Sequence, residues 1–199
     1  FALMDVERDE GKVLACCATV QSDVTIEADI DVDEDFEGYS VEDYQATVSE
    51  LLPLSPTILG VRLKLDRAMQ FQAGQYINLE LPGIEGSRAF SLANPPSRPD
   101  EVELHVRLVE GGAATGYIHQ QLKVGDQLSL SGPYGMFFVR NSQQGDLIFI
   151  AGGSGLSSPQ SMILDLLEQG DSRQITLFQG ARNRSELYNA ELFEQLAAS

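Results

Sequence analysis

Cysteine is scarce. The 199 residues hold two, Cys16 and Cys17, side by side. Such a pair builds no disulfide framework, and immediate neighbours bond badly to each other because a disulfide needs its Cα atoms further apart. A reducing, cytoplasmic compartment is the expectation. No run of 18 apolar residues occurs, so no membrane-spanning helix is expected. Basic residues are few as well: 13 Lys and Arg stand against 30 Asp and Glu, a net charge of −17. A phosphate backbone would repel that charge, which argues against a nucleic-acid partner. No charged-then-apolar leader pattern follows Phe1, and no internal repeat is visible. What remains is ordinary for a globular protein: 43% hydrophobic and 22% charged residues, in a chain long enough for one large or two small domains without staples.

The charge is uneven. Residues 1–43 carry 14 acids and 2 bases, residues 44–199 carry 16 and 11, and the run Glu27–Glu37 packs seven acids into eleven positions. The run reads as a solvated linker extended by self-repulsion, or as an acidic face that steers a basic protein partner.

The middle of the chain has period two. Alternating or β-branched runs at 43–51, 56–66, 75–82, 87–93, 101–109 and 126–132 are separated by Gly- and Pro-containing turns, with one helix at about 114–122. Six short strands and one helix predict a closed antiparallel barrel. A slip in the alternation at Gly60 suggests a β-bulge there. Around 142–146 the period changes, and strand 146–151, helix 156–169, strand 174–179 and helix 188–198 follow. Two parallel strands covered by helices make a poor sheet, and a nucleotide-binding half needs at least a third strand. The 199 residues are therefore expected to be part of a longer protein.

Three segments carry chemistry. An apolar strand runs into Gly152-Gly153-Ser154-Gly155 and then a helix, which brings backbone N–H groups and a positive dipole end to a phosphate, or is a plain tight turn. The G-x-G-x-x-G fingerprint fails, since its third glycine would be Ser158, and no acid closes the second strand, where Gln179-Gly-Ala-Arg182 stands. The nucleophile elbow fails too, because Leu156 replaces its last glycine. The second segment, Arg88-Ala-Phe90-Ser91, puts an arginine and an aromatic on one strand face and a serine on the other: a phosphate clamp beside a stacking surface, or an exposed arginine and a core phenylalanine. In the third, a strand through His105-Val106-Arg107 ends near Gly112, and a helix opens at Ala114-Thr115, as an anion seat or a simple hydroxyl cap.

In this order the segments resemble the ferredoxin-reductase-type flavin and nicotinamide oxidoreductases. The fold class this implies is a six-stranded antiparallel flavin-binding barrel followed by the first half of a parallel-sheet, α/β nucleotide-binding domain. The resemblance makes Arg88 a holder of the FAD pyrophosphate, sets Phe90 (for the commoner Tyr) along the isoalloxazine, and brings the Ser91 hydroxyl to flavin N5 as the catalytic contact. It places His105, Val106 and Arg107 beside the flavin, and Gly112, Ala114 and Thr115 at the helix start that receives its pyrophosphate. Gly152, Gly153, Ser154, Gly155 and Pro159 match the nicotinamide-nucleotide turn, and Arg182 and Arg184 fall where the adenosine side is contacted. Val13-Leu-Ala-Cys16 and Ser22-Asp-Val-Thr-Ile-Glu27 resemble the end of a plant-type [2Fe–2S] ferredoxin domain, so Cys16 would be one cluster ligand; the other three are absent from this chain.

The implied division is 1–30 ferredoxin remnant, 31–42 acidic linker, 43–143 FAD-binding barrel and 144–199 NAD(P)-binding half. This domain order is that of reductase components of bacterial multicomponent oxygenases, the phenol hydroxylase reductases closest among them, with those of methane and toluene monooxygenases near. It implies electrons passing from NADH (NADPH remains possible) through FAD and the cluster to a diiron hydroxylase as partner, with no nucleic acid and no membrane. On this reading the 199 residues are catalytically silent without the rest of the protein. A stand-alone flavin or ferredoxin reductase and a non-catalytic acidic adaptor stay open.

Overall fold

The structure, a computed structural model, describes residues 4–13, 19–25 and 33–198. It divides into two units, Phe1–Asp33 and Glu34–Ser199. The first unit holds one short helix, α1 (Asp5–Asp9), whose start is tied by the Met4 N–H donating to the Glu7 carboxylate at 2.8 Å. Cys16 lies outside the described residues. Ser22–Thr25 form no strand where the resemblance implies a closing one; a strand needs a neighbour to satisfy its backbone.

The second unit begins with a barrel. Its strands are β1 (Glu42–Pro53), β2 (Ile58–Leu65), β3 (Tyr76–Leu79), β4 (Arg88–Ser91), β5 (Glu101–Arg107) and β6 (Gln127–Tyr134), in the spatial order β4-β3-β6-β1-β2-β5 and antiparallel throughout. Beyond β4, a bridge pairs Leu92 with Leu104, and the Ala93 N–H donates to the Glu103 carbonyl at 2.8 Å. These contacts bring the two outer strands together, so the barrel is nearly closed as expected. The alternation works as written: Tyr44, Ala46 and Val48 of β1 point inward, with Leu63 and Leu65 of β2 and Val102, Leu104 and Val106 of β5. Helix α2 (Ala113–Gln120) adds Ala114 and Ile118 to the same core, and Nε2 of His119 donates to the Val106 carbonyl at 2.9 Å.

The bulge is not at Gly60. The register shift lies on β1 between Val48 and Glu50, while Gly60 pairs regularly with Leu52 and His105. The slip at Gly60 is a change in which face is buried: Val61, Leu63 and Leu65 fill the barrel, whereas Ile58 packs outward against Ala151, Leu156 and Tyr188. A Cβ at Gly60 would meet Leu54 at 3.2 Å. The barrel thus has a second buried face, and β5 is buried on both sides.

That outer face receives the second half of the unit. Here β7 (Leu147–Gly152) and β8 (Ile175–Gly180) pair in parallel, and α3 (Ser157–Glu168) and α4 (Ala190–Ala198) follow them. Phe149, Met162, Ile163 and Leu166 form the core between β7 and α3. The opposite sheet face, with Ile148, Ile150 and Phe178, is exposed, as expected for two parallel strands alone.

The acidic run does not stay fully solvated. Asp35 accepts hydrogen bonds from the Ser142 N–H and hydroxyl, which hold its carboxyl below the usual range, and Phe36 stacks on Phe138 at 6.0 Å. Gln72 donates to the Asp35 carbonyl at 2.7 Å. An aromatic and two side-chain anchors override self-repulsion at this end of the run.

Candidate functional site

The glycine turn follows from a strand that must become a helix with no room to spare. β7 ends at Gly152, one 3-10 turn spans Gly153–Leu156, and α3 begins at Ser157. Gly153 has φ +54, a conformation that strains any residue with a Cβ. The Ser157 hydroxyl donates to the Ser154 carbonyl at 2.7 Å. Pro159 occupies the first turn of α3, where its missing N–H has no intrahelical partner to lose. In front of the turn lies a cavity of about 330 Å³ lined by Gly152, Gly153, Gly180, Arg107, Arg182 and Glu186, among others. A Cβ on Gly153 would sit 3.9 Å from Nη1 of Arg107. Arg107 and Arg182, with the Glu186 carboxylate, thus line a space in front of the glycine turn. Gly155 and Arg184 are exposed and Ser154 is half-buried, and none of the three lines the cavity.

The barrel wall is less uniform. Arg88 and Phe90 pair with Leu79 and Ile77, so they share the face that turns toward the core, and Phe90 and Tyr117 of α2 pack against the same cluster. Ser91 lies on the opposite face, paired with Tyr76, whose ring stacks on Tyr134 at 5.5 Å. Arg88 is exposed and donates to the carbonyls of Glu85 and Ser87. The Thr115 hydroxyl accepts the Val109 N–H at 3.1 Å and lies 3.4 Å from the Gly112 carbonyl, so it caps its own loop. Arg88 and Thr115 are each held by their own segment.

Three positions expected beside the flavin behave differently. The Val106 side chain is core, and Arg107 opens on the glycine turn. The His105 imidazole is buried, with Nδ1 3.0 Å from the Tyr188 hydroxyl and Nε2 3.0 Å from Glu103. Even spacing along β5 puts His105 on the outer face, and that face is packed. Only its main chain is left for a flavin.

A buried polar layer joins the two halves. Arg62 donates to Glu103 at 2.9 Å and to Glu50 at 2.6 Å. Burial pushes the Glu103 carboxyl up, but hydrogen bonds from His105 and Arg62 outweigh it and hold it down, at about 2. The Ser161 hydroxyl donates to the Asn94 carbonyl at 2.6 Å, Gln160 donates to the Ala93 carbonyl at 3.2 Å, and Asn189 donates to Gln160 at 2.7 Å. Among the described residues no buried side-chain nitrogen or oxygen lacks a partner. The layer is complete.

Residues 45–139 match the oxidoreductase FAD-binding domain, and residues 149–199 match the oxidoreductase NAD-binding domain. The reductase component DmpP of phenol 2-monooxygenase from Pseudomonas sp. (strain CF600) is 78% identical over 198 residues, covering 100% of this chain and 56% of that protein. The chain carries an oxidoreductase FAD-binding domain followed by oxidoreductase NAD-binding sequence. The phenol hydroxylase P5 protein of Acinetobacter pittii (strain PHEA-2) is 70% identical over 98% of the chain and 56% of its own length. The crystal structure of the Amycolatopsis cytochrome P450 reductase GcoB superposes with a TM-score of 0.80 at 32% identity, covering 98% of this chain and 60% of that one. The chain spans about half the length of the curated relatives it matches.

Arg107, at the last position of β5, lines the cavity in front of the glycine turn and so stands where the barrel meets the nucleotide half. Sequence reading missed Glu103, Tyr188 and Gln160. Their one signal was Glu103 and His105 at alternate positions of an otherwise apolar strand, a polar stripe on a face that a lone barrel would leave in water. No described helix is long and apolar enough to cross a membrane.

Proposed function

We propose that this chain is the flavin- and nicotinamide-binding part of an electron-transfer reductase serving a multicomponent phenol monooxygenase. In the longer protein, electrons pass from NADH, with NADPH as the lesser alternative, through FAD and a [2Fe–2S] centre to a diiron hydroxylase in the cytoplasm. The proposed division is 1–30, 31–42, 43–143 and 144–199. The observation that carries the reading is the cavity in which Arg107, the last residue of β5 in the flavin-type barrel, faces the glycine turn.

The residues fit a dinucleotide on each side. Gly152, Gly153, Ser154 and Gly155 bring main chain rather than side chain to a pyrophosphate, and Arg107 and Arg182 neutralise it. On the barrel, Arg88 clamps the flavin pyrophosphate with the start of α2 at Gly112, Ala114 and Thr115. Phe90 lies along the ring, and the Ser91 hydroxyl offers a hydrogen bond where a proton on the ring must be held. The backbone of His105, Val106 and Arg107 supports the cofactor edge. Bound FAD would supply the conversion of a hydride's electron pair into two single electrons. Cys16 would give one thiolate to the cluster, whose other ligands this chain does not contain.

Reconstitution with FAD followed by visible spectroscopy tests the reading. Retention of a flavin spectrum through gel filtration is expected, with bleaching on addition of NADH once the chain is placed in its full-length protein. A colourless product after reconstitution would overturn it.

A further inference from the structure

Tyr188 is buried at the junction of the two halves, and its hydroxyl lies 3.3 Å from the carbonyl oxygen of Gly153, the first residue of the turn. A carbonyl only accepts, so in this contact the tyrosine is the donor. Nδ1 of His105 lies 3.0 Å from the same hydroxyl, and its Nε2 lies 3.0 Å from Glu103, whose other oxygen is held by Arg62 at 2.9 Å. The line runs from a half-exposed arginine on the barrel surface to the peptide that opens the glycine turn.

A trans peptide points its C=O and N–H in opposite directions. Pinning the Gly153 carbonyl against the interface therefore turns the Ser154 N–H away from it, to the side where the turn is exposed. Gly153 is also the residue least able to hold that orientation unaided, because glycine has the widest choice of backbone conformations. We propose that Tyr188 is a positioning residue for dinucleotide binding: it holds the Gly153–Ser154 peptide in the orientation that presents the Ser154 N–H to a pyrophosphate, with its ring packed edge-on against His105. This rests on the nicotinamide-nucleotide reading of the turn, and extends it to a residue 35 positions away that belongs to none of the motifs.

The test is amide NMR of the 15N-labelled, FAD-loaded chain titrated with NAD+. In the wild type, NAD+ shifts the Ser154 and Gly155 amides. In Tyr188→Phe, which keeps the ring and its edge-on packing against His105 (centroids 5.2 Å apart), the Ser154 amide moves even before NAD+ is added. The dissociation constant for NAD+ rises on the order of fivefold, while the flavin spectrum is unchanged. An unmoved Ser154 amide, or equal NAD+ affinity in wild type and Tyr188→Phe, overturns the role of Tyr188 and leaves the nucleotide site standing. Absence of any NAD+-dependent shift at Ser154 and Gly155 in the wild type overturns the site, and the role with it.

Discussion

Oε2 of Glu186 accepts a 2.7 Å hydrogen bond from the Thr57 hydroxyl, 129 positions earlier in the chain, and another of 2.7 Å from Ser55. The turn between β1 and β2 is thereby tied to the segment after β8, at the edge of the cavity that Arg107 and Arg182 line. The hydrogen bonds from Ser55 and Thr57, with Arg107 nearby, hold the Glu186 carboxyl below its ordinary range. Glu186→Gln keeps an acceptor for the hydroxyls and removes a negative charge beside Arg107. NAD+ is expected to bind about twofold tighter at low salt, with the gain fading as salt screens it. Calorimetric titration at two ionic strengths checks this, and Arg107→Ala and Arg182→Ala should move affinity the other way.

Glu103 makes acid stability measurable. Its carboxyl titrates at about 2 in the fold against an ordinary 4.5. A depressed carboxyl contributes stability above the unfolded value and loses it as pH falls through the folded one. The contribution is roughly 3 kcal/mol, present above about pH 4.5 and gone near pH 2. Urea unfolding at pH 6.5 should find Glu103→Gln destabilised by about that amount. At pH 3 the gap to wild type should be less than half as wide; a gap independent of pH would contradict the ionised pair.

Arg88 carries the flavin side. Arg88→Ala should weaken FAD retention by at least tenfold, since a charge-assisted contact contributes more than ~1.4 kcal/mol. Arg88→Lys should recover only part of it, because an ammonium lacks the bidentate fork. Fold stability should hardly change, as the side chain is exposed and bonded only to its own loop. Equilibrium dialysis against FAD, paired with thermal melts, separates the two effects.

Two glycines should fail differently. At Gly153 (φ +54) an added Cβ meets nothing closer than 3.9 Å, so Gly153→Ala should cost about 1 kcal/mol through the backbone alone. At Gly74 (φ +101) the same Cβ would lie 2.0 Å from the Phe137 carbonyl oxygen and 2.2 Å from Met162. Gly74→Ala should therefore cost several times more, read as a large fall in Tm, because the backbone at Phe137 must give way even where the end of the Met162 side chain can swing aside.

Period two in β1 and β5, helical spacing in α3 and the Gly152–Gly155 turn are local patterns, and each gives the element type, the inward residues and the order of barrel and nucleotide half. Positions such as Arg88, Phe90 and Gly153 could be named because spacing along one strand or turn is a covalent property. The cause of the slip at Gly60, the burial of the His105 imidazole and the outward role of Arg107 could not. They depend on which outer face of the barrel meets α3 and β8, and that contact joins residues 57 to 131 positions apart. Hydrophobic periodicity marks a residue as buried but not what buries it, so Glu103, His105 and Tyr188 read as three unrelated polar residues until packing set them in one line.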